Sequence, residues 1–169
     1  MRANAPRAYT WYFGYGSNMD PRTFLGRRRM SPLETAAARL DGWGLRFDLP
    51  IGKGERAVAN VRRQADEYVW GVAYQISLRD AAHLDRTEGV PRAYRRVEVD
   101  LMLAEGSVRR GYTLASERGL PGRKPSRRYM GLLLAGARHH GLPEAYVRFL
   151  RGFELAIDER ERQQELFSR

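Results

Sequence analysis

Residues 12 to 21 read YFGYGSNMDP, and this stretch decides how the chain begins to fold. An aromatic, apolar run is typical of a buried strand, which we place over 9–15. Asp20-Pro21 then opens a short helix through about Arg28, because aspartate is a good N-cap and proline fits the first helical position. The segment Gly16-Ser17-Asn18 must therefore form a strand-to-helix turn.

Two interpretations of the Gly16-Ser17-Asn18 turn stay open on the residues alone. In the first, glycine only supplies the permissive backbone that many unrelated strand-to-helix turns need. In the second, the turn presents backbone N–H groups at the positive end of a helix and holds an anionic group of a ligand. The rest of the chain has to supply the other half of such a site.

The composition excludes several classes of protein. The chain has 169 residues, enough for one domain over 1–169 with its own core, and we expect a flexible tail from about 156 to 169. Without cysteine it has no disulfide, thiolate metal site or cysteine nucleophile. Its three histidines lack zinc-motif spacing, so we expect no metal site. It has neither a membrane-length apolar run nor a signal-peptide pattern, and we expect a cytoplasmic protein.

The formal charge of +10 raises the question of nucleic acid as a partner. Lys53 and Lys124 are the only lysines, and the arginines are spread along the chain. This distribution argues against a nucleic-acid-binding arm. A denser basic loop over 118–128 could instead steer an anionic small molecule.

The remaining pattern predicts a mixed fold. Alternating or continuous apolar residues indicate strands, and capping signals such as Ser77-x-x-Asp80 and Gly89 delimit helices. Strands are predicted over 36–49, 57–61, 68–76, 97–103 and 108–115, and helices over 77–88, 127–140 and 143–153. Hairpins and crossovers alternate irregularly, so we predict an α+β fold with about six strands in a small, barrel-like sheet flanked by short helices.

Glu88 is the first candidate for chemistry. It stands at the end of the Ser77 helix, directly before Gly89. The negative end of a helix dipole disfavours the ionised carboxylate, which suits such a group to taking and returning a proton near neutral pH. The alternative is a solvated glutamate that merely precedes a capping glycine, and spacing alone does not decide between the two.

Four segments, in this order and at these separations, resemble the gamma-glutamylcyclotransferase family. They are YFGYGSN at 12–18, VWGVAYQI at 69–76, LDRTEGV at 84–90, and the block over 125–143. The similarity runs over about 12–154. It implies a small mixed barrel with flanking helices and an enzyme that releases 5-oxoproline and a free amine from a gamma-glutamyl amino acid or amine.

The resemblance also implies roles for particular residues. Glu88 is the acid/base. The residues that bind the gamma-glutamyl substrate are Tyr12, Phe13, Gly14, Tyr15, Gly16, Ser17, Asn18 and Tyr129. The substrate's own amine is the nucleophile, so the reaction requires no cofactor, and the family resemblance favours a homodimer. The alternatives are a biosynthetic enzyme that removes a gamma-glutamyl protecting group, an enzyme for glutathione alone, and a non-catalytic binding protein on the same scaffold.

Overall fold

A computed structural model describes residues 8–157. Most of the tail that we expected to be flexible, 158–169, lies outside the described residues. Its first two residues, Ala156 and Ile157, lie within them, and their backbone N–H groups donate to the Pro125 carbonyl (2.8 Å) and the Glu55 carboxylate (2.7 Å). These two bonds attach the end of the described chain to the main body.

Five strands form a closed barrel in the order β1-β3-β2-β4-β5. The strands are β1 (Tyr9–Gly14), β2 (Glu34–Pro50), β3 (Ala57–Ser77), β4 (Arg95–Leu103) and β5 (Val108–Ala115). The barrel-like α+β prediction is therefore confirmed, but the count of about six strands is corrected to five. The segments 57–61 and 68–76, which we predicted as separate strands, belong to the single strand β3.

The barrel closes through β1 and β5, the one parallel pair among neighbours that otherwise run antiparallel. Tyr12 faces Tyr112 and Phe13 faces Thr113 across this seam. The Thr113 hydroxyl donates to the Phe13 carbonyl at 2.9 Å. β1 is thus paired with a strand on each side, and its residues Trp11, Tyr12 and Phe13 are buried.

Within residues 8–157, three α-helices accompany the barrel: α1 (Leu78–Glu88), α2 (Arg127–His139) and α3 (Glu144–Arg151). The capping prediction for α1 is confirmed, because the Ser77 side chain accepts the Asp80 N–H and Gly89 ends the helix with φ of 71°. A positive φ is costly for residues with a side chain, so glycine is favoured there. None of the described helices is long and apolar enough to cross a membrane.

The chain between β1 and β2 is helical, as predicted, but its helix is of a different type. Ser17–Met19 form one 3₁₀ turn, and Arg22–Arg27 form a short π-helix. The Asp20 side chain accepts the Arg22 N–H at 2.8 Å, which is the capping contact expected of this aspartate. The wider π turn closes with a bond from the Arg28 N–H to the Thr23 carbonyl, also 2.8 Å. Such turns are rare and often occur at functional sites.

Helix α2 supports the 3₁₀ turn from outside the barrel. A Cβ added at Gly136 of α2 would lie 2.5 Å from the Met19 carbonyl carbon, so only glycine allows this approach. His140, just after the helix, contacts the Met19 carbonyl oxygen through Nε2 at 2.9 Å. The turn is therefore held between the barrel and α2.

Candidate active site

A narrow pocket opens where β1 ends. Its empty volume is about 330 Å³, and this figure counts the part of the pocket that is open to solvent. The end of β1, the 3₁₀ turn, the end of α1 and the start of α2 all reach it. Its lining residues are Tyr12, Tyr15, Gly16, Ser17, Asn18, Ala59, Glu88, Tyr94, Leu114 and Tyr129.

Gly16 is required by a close approach rather than by a left-handed backbone, since its φ is −111°. A Cβ built on Gly16 would stand 2.8 Å from the Tyr129 hydroxyl and 3.4 Å from the Ala59 methyl group. The glycine therefore lets the backbone of the turn face Tyr129 directly across the pocket.

Glu88 brings a carboxylate into this pocket from the last residue of α1. Its side chain is 14% exposed. Oε1 accepts the Asn18 amide N–H at 2.8 Å and lies 2.8 Å from the Arg28 guanidinium. Among residues 8–157, Oε2 has no hydrogen-bond partner. The solvated alternative for Glu88 is thereby overturned: the side chain is largely buried and lines a cavity.

Asn18 connects the turn to the rest of the site. Its side-chain Nδ2 donates both to the Tyr12 hydroxyl (2.9 Å) and to Glu88 (2.8 Å), while its Oδ1 accepts from Arg28 Nε (3.3 Å). Its backbone carbonyl accepts from the Tyr74 hydroxyl at 2.8 Å. Both donor hydrogens of the amide are thus committed within the protein.

Sequence reasoning missed Arg28, which supplies the positive charge of the site. Its side chain is 17% exposed and reaches the same oxygen of Glu88 as Asn18 does. Arg28 sits in an arginine triplet with no local signal that separates it from its neighbours. The argument from the helix dipole alone was therefore incomplete, because it took no account of a guanidinium 2.8 Å from the carboxylate.

Four tyrosines form the walls of the pocket. Tyr15 donates to the Leu114 carbonyl (2.5 Å) and Tyr94 to the Ala59 carbonyl (2.9 Å). Burial raises the pKa of Tyr129 to about 12, and burial together with the Glu88 charge raises the pKa of Tyr12 well above its usual value. All four therefore stay protonated near neutral pH. Tyr94, like Arg28, was not anticipated from the sequence.

The remaining predicted residues lie close by but differ in position. Phe13 is fully buried between strands and, like the buried Gly14, is not among the described residues that line the pocket. His139 and His140 stack edge to face at 4.8 Å outside the pocket. In the part of the chain that the structure describes, no group of three or more potential ligands could hold a metal ion.

Comparison with known proteins identifies the family of the chain. Residues 68–150 match the model of the AIG2-like family. The gamma-glutamylcyclotransferase of Bos taurus is 31% identical over 151 residues, covering 85% of this chain and 78% of the relative, and that of Homo sapiens is 30% identical with the same coverage. A solved structure of a gamma-glutamyl cyclotransferase superposes with a TM-score of 0.80 at 25% identity, covering 89% of this chain and 91% of that chain. The chain belongs to the gamma-glutamylcyclotransferase family.

Proposed function

We propose that this protein is a gamma-glutamylcyclotransferase that cyclises a gamma-glutamyl amino acid or amine and releases 5-oxoproline and the free amine. One observation carries the proposal: the Glu88 carboxylate lines the same pocket as the backbone of the Gly16-Ser17 turn. A proton-transferring group and a set of amide donors are the two components that this reaction needs.

The substrate supplies its own nucleophile. Its alpha-amine attacks the gamma-carbonyl carbon, a C–N bond forms and closes a five-membered ring, and the bond to the departing amine breaks. No water is consumed. The protein has to hold the substrate folded so that amine and carbonyl meet, and such orientation can supply much of the rate acceleration.

Glu88 moves the proton in this scheme. As a carboxylate it takes a proton from the alpha-ammonium group and later gives it to the departing nitrogen, so it ends the cycle unchanged. The ring nitrogen loses a second proton as the lactam forms, and this proton reaches the released amine, which leaves as an ammonium ion. Oε2 is the oxygen for this task, because Oε1 already receives Asn18 and Arg28. A protein that only binds a ligand would not need a carboxylate for proton transfer in its pocket.

The donors opposite Glu88 bind the substrate's negative charges. In this proposal the backbone of Gly16 and Ser17 receives either the alpha-carboxylate or the oxyanion that develops on the carbonyl, and the presence of both residues in the pocket lining supports this role. The Tyr12 hydroxyl accepts from Asn18, which leaves its own hydrogen for a substrate oxygen. The Tyr129 hydroxyl accepts the Ala59 N–H at 3.1 Å and can donate in the same way.

The test is a substrate panel. Purified protein is incubated with gamma-glutamyl dipeptides, a gamma-glutamyl amine and glutathione, and 5-oxoproline is quantified. Release from one or more of these compounds supports the proposal and identifies the departing amine. If every compound remains intact, the proposed activity is wrong.

A cytoplasmic location and a homodimer complete this proposal. The dimer rests on family resemblance, and light scattering on the purified protein measures it. A mass of one chain at micromolar concentration would remove the homodimer from the proposal without affecting the chemistry of the pocket.

A further inference from the structure

We infer that Arg28, acting with Asn18, is a positioning residue that occupies one oxygen of Glu88 and leaves the other for proton transfer. This inference rests on the proposed cyclotransferase function. Neither Arg28 nor its contacts follow from the motifs in the sequence. The proposed role of Arg28 is to orient the Glu88 carboxylate, and it does not determine which substrate binds.

The Arg28 guanidinium contacts three different groups at once, one through an ion pair and two through hydrogen bonds. Nη2 lies 2.8 Å from Glu88 Oε1, Nε donates to Asn18 Oδ1 at 3.3 Å, and Nη1 donates to the Thr87 carbonyl at 3.0 Å. Thr87 directly precedes Glu88, so the guanidinium holds both the side chain and the backbone of the α1 terminus. A planar fork with several donors can make this pattern, whereas a lysine ammonium on its single stem cannot.

The backbone of Arg28 is itself held in place. Its N–H closes the π turn on the Thr23 carbonyl at 2.8 Å, and its carbonyl contacts His83 Nε2 at 3.1 Å. His83 lies on α1, the helix that ends in Glu88. The π turn and α1 are therefore joined at two points, and the guanidinium is directed at Glu88 before any ligand arrives.

The burial of the pair argues for a role beyond stability. The side chains of Arg28 and Glu88 are only 17% and 14% exposed. Removing an ion pair from water costs much of what the attraction returns, and apolar side chains of similar size can often serve stability as well. A charged pair kept at the edge of a pocket is better explained by what the carboxylate does there.

The contacts of Asn18 and Arg28 with Oε1 determine which oxygen takes the proton. Protonation of Oε1 would disrupt the hydrogen bond from Asn18 and the ion pair with Arg28, whereas protonation of Oε2 leaves both contacts in place. Glu88 can therefore pass between carboxylate and acid without moving, with the proton always on the oxygen that lacks a protein partner.

The experiment compares Arg28→Gln and Arg28→Lys with Arg27→Gln. Arg27 is an exposed neighbour, so its substitution removes the same charge without touching Glu88. Each variant is assayed on the best substrate of the wild type, with kcat and KM determined separately, and with added guanidinium chloride at a concentration below the unfolding transition. Melting temperature is recorded for all of them.

We expect kcat to fall about a hundredfold in Arg28→Gln with KM changed little, because misplacement of a catalytic group by about 1 Å costs that much. Arg28→Lys should recover only part of this loss, and guanidinium should restore activity to Arg28→Gln but not alter Arg27→Gln. If folded Arg28 variants match Arg27→Gln while the wild type is active, the inference is wrong and the function stands. If the wild type is inactive on every substrate, both the role of Arg28 and the proposed function are wrong.

Discussion

The side-chain amide of Asn18 lies 2.8 Å from Oε1 of Glu88, although 70 residues separate them in the chain. This bond joins the turn that follows β1 to the last residue of α1. Asn18 lies in the 3₁₀ turn after β1, and Glu88 is the last residue of α1, which ends at the capping glycine Gly89. The site is therefore built by the meeting of two termini rather than by one loop.

Asn18→Asp tests the amide donors of this bond. The substitution keeps the size and the acceptor for Arg28, but it removes both donors and places a second negative charge beside Glu88. We expect kcat to fall by about a hundredfold or more, since like charges at contact disfavour the ionised base. Steady-state kinetics measures this, and a variant with near wild-type kcat would show that the amide does not position Glu88.

Gly16→Ala tests the close approach across the pocket. The new methyl group would meet the Tyr129 hydroxyl at 2.8 Å, so either the turn or the tyrosine must shift. We expect most activity to be lost. Gly131→Ala is the control, because a Cβ there meets nothing within 4 Å and lies in α2. It should keep activity and stabilise the protein by about 0.5–1 kcal/mol.

Tyr129→Phe tests a hydroxyl that faces the turn. Loss of a hydrogen bond to substrate should raise KM about three- to tenfold, with a smaller effect on kcat. Tyr146→Phe is the matched control, because Tyr146 is a buried tyrosine that does not line the pocket. Its KM should not change. An unchanged KM in Tyr129→Phe would exclude its hydroxyl from substrate binding.

Asp20 should make the stability of the folded protein depend on pH. Its hydrogen bonds with Arg22 hold the pKa of this carboxyl below the usual 3.8. A depressed pKa contributes stability above the unfolded value, and that stability is lost as the pH falls through the folded value. Asp20→Asn should therefore melt at a lower temperature than wild type at pH 7, and the difference should shrink below about pH 4. A constant difference across this range would contradict the assignment.

Local signals in the sequence predicted the elements that local interactions form. Ser77 and Gly89 delimit α1 in the structure as they did in the sequence. The strand β3 was divided in the prediction because its centre, 62–67, is charged or polar apart from Ala65. In the structure residues 63–66 are exposed, Arg62 and Arg63 pair with β2, and 64–67 have no partner in that register, so the sequence pattern of a half-buried strand is interrupted there.

Contacts between distant parts of the chain were beyond the reach of local patterns. The parallel seam between Tyr12 and Tyr112 closes the barrel across 100 residues and has no local signature. Arg28 was overlooked for a similar reason: only the π turn, which the sequence did not distinguish from an ordinary helical turn, directs it toward Glu88. Glu88 itself was found because capping and family resemblance both pointed to it.

The most direct test of the central claim is 5-oxoproline release by Glu88→Gln. Glutamine can still accept from Asn18 and Arg28 through its amide oxygen, so the fold should persist, but it cannot carry the proton. With Glu34→Gln, an exposed glutamate on β2, as the charge-matched control, we expect turnover to fall by about 10³-fold or more in Glu88→Gln and to be unchanged in the control. A folded Glu88→Gln that releases 5-oxoproline at the wild-type rate would contradict the account.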